Sequence, residues 1–282
     1  MISRPLLRYL GGKWRLAPWV IGHFPEHGIY VEPFGGGGSV LLQKPPVKTE
    51  VYNDLDDELV NLFRVLRSAE GLELVRQLEL TPYARREYLS SFEPTDDPVE
   101  QARRTIIRSH MAHGNMSLRR TRPSGFRVDG TTGNTSVGRN WADFPAAVAA
   151  IIERLSAVTI EQKPALDLIN DYDDPRALLY LDPPYVRETR SQSHVLADSA
   201  ALYRHEMDDE EHVALLDRVR AARSMVLISG YATKLYDDAL KGWARRQVAA
   251  RAHRNGARTE VLWINAAASA ALEDGPLFGT AA

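Results

Sequence analysis

The chain has 282 residues, 44% of them hydrophobic, and a formal net charge of −2, which is enough apolar material for a substantial core in one large domain or one domain with an insertion. It contains no cysteine, which excludes disulfides, cysteine-ligated zinc and reactions that run through a thiolate, including the nucleophile needed for carbon-5 methylation of cytosine. No apolar run of about eighteen residues occurs and no charged segment leads into an apolar stretch and cleavage site, so the expected location is the cytoplasm.

In chain order, Ile29 to Glu32 reads as a short buried strand that enters a glycine loop, Gly35 to Gly38, after which Ser39 to Leu42 opens a helix. A second strand near Glu50 to Asn53 ends at Asp54, and Asp56, Asp57 and Glu58 cap or solvate the helix that follows. From Leu59 to about Ala157 amphipathic helices give way to a loop-rich stretch, Gly114 to Phe144, which reads as an inserted domain. A third strand spans Val158 to Gln162, a helix Ala165 to Asn170, and an apolar strand Ala177 to Leu181. Ser224 to Ser229 is a further strand, Ala232 to Leu240 a helix, and Gln247 to Arg251 and Glu260 to Asn265 close the sheet. Such alternation specifies an α/β sheet with helices on both faces. The expected boundaries are 1–58 and 158–282 for the sheet domain and 59–157 for the insertion.

In sheets of this kind ligands bind beyond the carboxyl ends of the strands. Glu32, Asp54, Asp182 and Ser229 fall at those ends of four different expected strands, whereas the apolar residues before them serve the core under any function. The most informative is Asp182, which begins Asp182-Pro183-Pro184-Tyr185. The prolines fix φ at about −65° and remove two N–H donors, leaving carbonyls for a ligand beside a carboxylate and a flat ring. An exocyclic amino group suits this arrangement, since the carboxylate and a carbonyl accept its two hydrogens while the ring stacks on the attached heterocycle. The same four residues also make an ordinary turn.

Gly35 to Gly38 permits close backbone approach to a cofactor. No Gly-Lys-Ser/Thr ending follows, and Lys13 precedes the run, so it is not a phosphate loop. Its spacing is not the dinucleotide fingerprint, although Asp54 stands where a ribose-binding acid belongs. From Gln101 to Arg127 there are seven arginines and no acid: Arg103, Arg104, Arg108, Arg119, Arg120, Arg122 and Arg127. A second acid-free stretch runs from Lys241 to Arg258. Such runs are ordinarily solvated faces. His110, His113, His194 and His205 lack metal-site spacing and read as surface or structural residues.

Taken in order, Arg8-Tyr9-Leu10-Gly11-Gly12-Lys13, Ile29 to Ser39, Val51-Tyr52-Asn53-Asp54, Asp182 to Tyr185 and Glu260 to Asn265 resemble the Dam-like (D12 class, alpha group) family of S-adenosylmethionine-dependent DNA adenine-N6 methyltransferases. The resemblance covers nearly the whole chain, with a weaker match in the central region that leaves the recognised sequence open. It implies a Rossmann-like methyltransferase sheet with an inserted, mainly helical DNA-recognition domain. It also implies S-adenosylmethionine as cofactor, no metal, double-stranded DNA as partner, and action as a monomer with a cognate restriction endonuclease as the other partner.

The resemblance places Tyr9, Lys13, Glu32, Phe34, Gly35, Gly37, Ser39, Asp54 and Asp182 at the cofactor. Asp54 suits the ribose hydroxyls. Lys13 either pairs with the cofactor carboxylate or a nearby acid, or is a surface lysine; Phe34 either stacks near the adenine or belongs to the core. Asp182, Pro183, Pro184 and Tyr185 are the implied catalytic residues, acting on a base flipped out of the duplex. Arg122, Ser124, Gly125, Phe126 and Arg127 lie where the family carries a DNA-contacting hairpin, and Gly138-Arg139-Asn140 resembles its far arm; Arg119, Arg120, Arg122, Arg127, Arg139 and Asn140 are the residues expected at DNA, with arginines for guanine edges or for phosphates. Three other readings stand beside this one: cytosine-N4 methylation, where Ser-Pro-Pro-Tyr is the commoner elbow, a catalytically silent DNA-binding relative, and an RNA substrate.

Overall fold

The computed structural model describes residues 2–114, 118, 123, 125–129, 136–186, 204–251 and 257–274. Arg119, Arg120, Arg122, Ser124 and His194 lie outside the described residues. In chain order the elements are α1 (Ala17–Ile21), β1 (Ile29–Glu32), β2 (Thr49–Asn53), α2 (Asp57–Arg67), α3 (Gly71–Leu80), α4 (Arg85–Ser90), α5 (Pro98–Met111), α6 (Val137–Ala142), α7 (Phe144–Leu155), β3 (Val158–Glu161), α8 (Ala165–Asp171), β4 (Ala177–Leu181), α9 (Asp209–Arg220), β5 (Met225–Tyr231), α10 (Lys234–Ala239), β6 (Ala244–Arg251), β7 (Ala257–Ile264) and α11 (Ala266–Asp274). They fall into two compact units. The first comprises Met1–Trp14, Gly36–Lys44 and Asp54–Gln162, and the second Arg15–Gly35, Pro45–Asn53 and Lys163–Ala282. Among the described residues no helix is long and apolar enough to cross a membrane.

The second unit holds six strands of the mixed seven-stranded sheet, in the order β2-β1-β4-β5-β7-β6. Pairing is parallel from β2 through β5 and antiparallel from β5 to β7 and β6. All five residues of β4 are buried, the signature of a central parallel strand covered on both faces. Successive side chains divide between those faces. Leu179 and Leu181 join Val31, Val226 and Ile228 in one apolar cluster with Leu215 and Val219 of α9. Tyr30 and Tyr180 instead meet the ring of Phe24, at 5.6 and 5.8 Å between centroids. This α/β architecture is the one the alternating pattern predicts.

The first unit is mainly helical. Asp56 caps α2 by accepting from the Glu58 amide, and Asp97 caps α5, with Pro98 at its first turn. Glu58 of α2 and the buried Arg108 of α5 form an ion pair at 2.5 Å. Arg103 pairs with Glu100 and Glu87, and Arg104 with Glu100. Three arginines of the long basic run are therefore held by carboxylates from outside it. Beyond α5 the chain doubles back through a bridge between Ala112 and Phe126, where His113 donates to the Gly125 carbonyl at 2.6 Å and Arg127 to that of Met111 at 2.7 Å.

Local details differ from the sequence reading. Ser39 to Leu42 forms turns rather than a helix, because only a few residues separate Gly38, at φ 63°, from the helix-stopping Pro45 and Pro46. Helix α6 lies within the stretch read as loop. Ser136 caps it, and the buried Trp141 anchors it through Nε1, which donates to the Thr81 carbonyl at 2.7 Å. Strand β5 continues to Tyr231, so Ser229 lies just inside its end.

Candidate active site

Strand β4 delivers the elbow. Its apolar side chains fix the strand in the core, and the chain then turns through Asp182, half-buried, and Pro183, buried. Ser229 Oγ on the adjacent strand β5 donates to Asp182 Oδ1 at 3.0 Å, and Tyr180 Oη lies 2.9 Å from the same Oγ. A hydroxyl bonded to a carboxylate contributes about 1.5–3 kcal/mol, enough to hold the acceptor in one orientation. Tyr185 stacks on Tyr231 with centroids 4.5 Å apart and planes 20° from parallel. One face of the Tyr185 ring is thus covered by protein. Pro183, Pro184, Tyr185, Ser229 and Tyr231 line a narrow crevice of about 10 Å³.

Two tyrosines near these strand ends are kept protonated. Burial, and then the Asp182 carboxylate, raise the Tyr236 phenol well above its ordinary value, and Tyr236 Oη lies 2.9 Å from His212 Nδ1. Burial and Glu32 raise Tyr30 likewise. Tyr30 donates to Glu32 Oε1 at 2.5 Å, so Glu32 is a buried acceptor at the end of β1.

After Glu32 the backbone is stitched by Asn53, whose Nδ2 donates to the carbonyls of Pro33 at 2.9 Å and Lys163 at 3.0 Å. The Gly35 amide donates to the Asn53 carbonyl at 2.7 Å. A Cβ at Gly35 would collide with the ring of Tyr52, so only glycine passes there. Phe34 is half-buried and packs against the apolar cluster.

In the first unit, Gly36 has φ 50° and its amide donates to Asp54 Oδ2 at 2.8 Å, while Asp54 Oδ1 accepts from the Asp56 amide at 2.9 Å. Asp54 thereby ties the glycine loop to the start of α2. The Tyr9 to Gly12 turn closes through a 3.2 Å bond from the Gly12 amide to the Tyr9 carbonyl. The Tyr9 ring lies over the loop, such that a Cβ on Gly36 would come within 3.0 Å of it and one on Gly37 within 3.3 Å of Tyr9 Cβ. Lys13 is 4% exposed, which rules out the surface lysine. Ser39 is half-buried.

Of the residues expected at DNA, Arg127 is half-buried and Arg139 and Asn140 are exposed. Arg127 and Asn140 line a cavity with Arg4 and Arg8, two residues the sequence reading did not assign to DNA. Arg8 opens the Arg8 to Lys13 motif, which was the available signal.

The model of the D12 class N6 adenine-specific DNA methyltransferases matches residues 9–256, a span that takes in the glycine loop, Asp54, the helical unit and the elbow. The chain belongs to that family. It is 31% identical over 78 residues to the DNA adenine methylase of Escherichia coli strain K12, covering 27% of this chain and 28% of that protein. The type II methyltransferase M1.LlaDCHI of Lactococcus lactis subsp. cremoris is 37% identical over 65 residues, 23% of this chain and 22% of that one. The type II methyltransferase M.MjaIII of Methanocaldococcus jannaschii is 23% identical over 278 residues, spanning 89% and 92% of the two chains. Matches to the lactococcal and E. coli proteins therefore span less than a third of their lengths.

Proposed function

We propose that this protein transfers the methyl group of S-adenosylmethionine to the N6 amino group of adenine in duplex DNA, within a short specific sequence. The observation that carries this reading is the Asp182 carboxylate, aimed by Ser229 at the end of a buried strand and followed by two prolines and a stacked tyrosine.

The residues of the first unit suit the cofactor. A glycine loop whose Cβ positions would press on Tyr9 admits a ligand close to the backbone, and the Asp54 carboxylate beside that loop is the acceptor for the two ribose hydroxyls. Bound S-adenosylmethionine supplies an electrophilic methyl group on sulfur. The chain supplies position and hydrogen bonds. Asp182 Oδ and the Pro183 carbonyl accept the two N6 hydrogens, returning to nitrogen the electron density otherwise delocalised into the ring. Tyr185 stacks on the purine. Alignment of the amine with the methyl group supplies several kcal/mol, roughly, of the barrier reduction. The N–C bond forms as the C–S bond breaks, leaving the neutral thioether S-adenosylhomocysteine, and the cationic nitrogen then gives up one proton by way of Asp182 to water. Because the N6 group of a paired adenine is held in the duplex, the base is flipped out to reach Asp182.

The two relatives named type II methyltransferases favour a role opposite a cognate restriction endonuclease. The test is incubation with duplex DNA and S-adenosylmethionine, digestion to nucleosides and mass spectrometry, with Asp182→Ala beside the wild type. Deoxy-N6-methyladenosine from the wild type, reduced at least about a hundredfold in the variant, is the expected result. N4-methylcytosine alone would overturn the adenine assignment, methylation of RNA alone the substrate, and undiminished turnover by the variant the role of Asp182.

A further inference from the structure

We propose that the first unit holds a built site for one DNA backbone phosphate, in a cavity of about 220 Å³ whose walls include Arg4, Arg8, Tyr83, His110, Arg127 and Trp141. This rests on the reading of duplex DNA as substrate and goes beyond it by naming where the backbone is gripped. Arginines from two distant stretches of sequence converge here, and among the described residues none that lines the cavity is acidic. The nearby Asp129 is engaged, its Oδ1 accepting from the Val137 amide at 2.6 Å.

The positive charge is crowded. The Arg8 guanidinium sits below its ordinary pKa because it is buried and faces Arg127. His110, whose Nε2 lies 2.9 Å from the Leu6 carbonyl, is held neutral by burial and by Arg8, Arg4 and Arg127. A ligand carrying a full negative charge relieves this repulsion, whereas the neutral edge of a base does not. A phosphodiester brings that charge together with oxygens for several N–H donors.

The cavity is also preformed. Tyr83 donates to the Arg127 carbonyl at 2.8 Å, and Trp141 is pinned to Thr81. Arg4 Nη1 donates to the Asn140 carbonyl at 3.0 Å, and the Arg8 amide to Ser109 Oγ at 2.6 Å. The Arg4 side chain and the backbone that carries Arg8 and Arg127 are therefore held before a phosphate binds, which lessens the ordering needed on binding.

The test compares the wild type with the double variant Arg4→Gln, Arg127→Gln, using two duplex oligonucleotides of unrelated sequence. Arg127 is held in the fold by its backbone N–H and C=O, so its side chain can be replaced without breaking those bonds, and thermal unfolding checks this. Binding is measured from 50 to 200 mM salt, roughly the range over which phosphate contacts dominate the change. The expected result is a log–log salt slope shallower by about 0.9 in the variant, equally on both duplexes. On duplexes with a single neutral methylphosphonate, one position should weaken the wild type and leave the variant unaffected. An unchanged slope, or no such position, overturns the site. A loss confined to one sequence overturns it too, since that is the signature of base reading. A shallower slope in a protein that methylates no DNA would uphold the cavity and overturn the functional reading.

Discussion

Ser229 Oγ donates to Asp182 Oδ1 at 3.0 Å from the neighbouring parallel strand, so the orientation of the elbow carboxylate is set by the sheet as well as by its own loop. Replacing Ser229 by alanine is expected to lower kcat about tenfold, the equivalent of roughly 1.4 kcal/mol. The KM for S-adenosylmethionine should stay near the wild-type value. Steady-state kinetics with both substrates separates the two effects, and an unaltered kcat would remove Ser229 from the mechanism.

Asp54 serves the fold and, on our reading, the cofactor. Asp54→Ala strips the acceptors from the Gly36 and Asp56 amides and is expected to cost about 2–3 kcal/mol of stability. Asp54→Asn keeps one carbonyl oxygen and should cost about half of that. Both variants should lose S-adenosylmethionine affinity in calorimetry. Full affinity alongside reduced stability in denaturant would leave Asp54 as a clamp between the glycine loop and α2 and nothing more.

Gly35→Ala places a methyl group against the buried ring of Tyr52. The overpacking is expected to cost about 1–3 kcal/mol, read as a lowered Tm. Tyr52→Leu vacates the space, so the double variant should be more stable than the sum of the two single losses predicts. Strict additivity would show that the loop relaxes away from Tyr52.

His110 links stability to acidity. Its folded pKa is lowered to about 4, by burial first and then by Arg8, Arg4 and Arg127, below the ordinary value of about 6.5. In the window between the two the unfolded chain binds the proton and the folded chain does not. Stability is therefore whole above about pH 6.5 and declines as the pH falls toward 4, by up to about 3 kcal/mol. Denaturant titrations across that window should show a flatter profile for His110→Gln, and an unchanged profile would assign the acid sensitivity elsewhere.

Much of the scaffold is legible in the sequence because its signals are local. Five consecutive apolar residues before Asp182 read as a central strand, and Asp56 before an amphipathic run reads as a cap. The contacts that tune the chemistry are not local. Ser229 reaches Asp182 only through the β4–β5 register, in which Leu181 stands opposite Ile228. Arg103, Arg104 and Arg108 read as a basic run because Glu58, Glu87 and Glu100 lie before it in the sequence, yet these carboxylates engage them in space. Arg4 and Arg8 join Arg127 across a sequence gap that no periodicity reports. An isolated lysine defaults to the surface, yet Lys13, next to the Tyr9 to Gly12 turn, is buried.

Strand β1 has one partner close in sequence and one remote. Ile29 pairs with Thr49 on one side and with Ala177 on the other. During synthesis β1 and β2 emerge early and then wait, with one edge of β1 open, for a partner roughly 150 residues downstream, a loop closure that slows folding. The β6–β7 pair needs no such wait, since Arg251 lies opposite Ala257. An open edge of buried-type residues invites pairing with other chains. Fragments that stop before Leu181 should therefore aggregate, and expression yield should depend on how quickly the ribosome delivers the strand that carries the elbow.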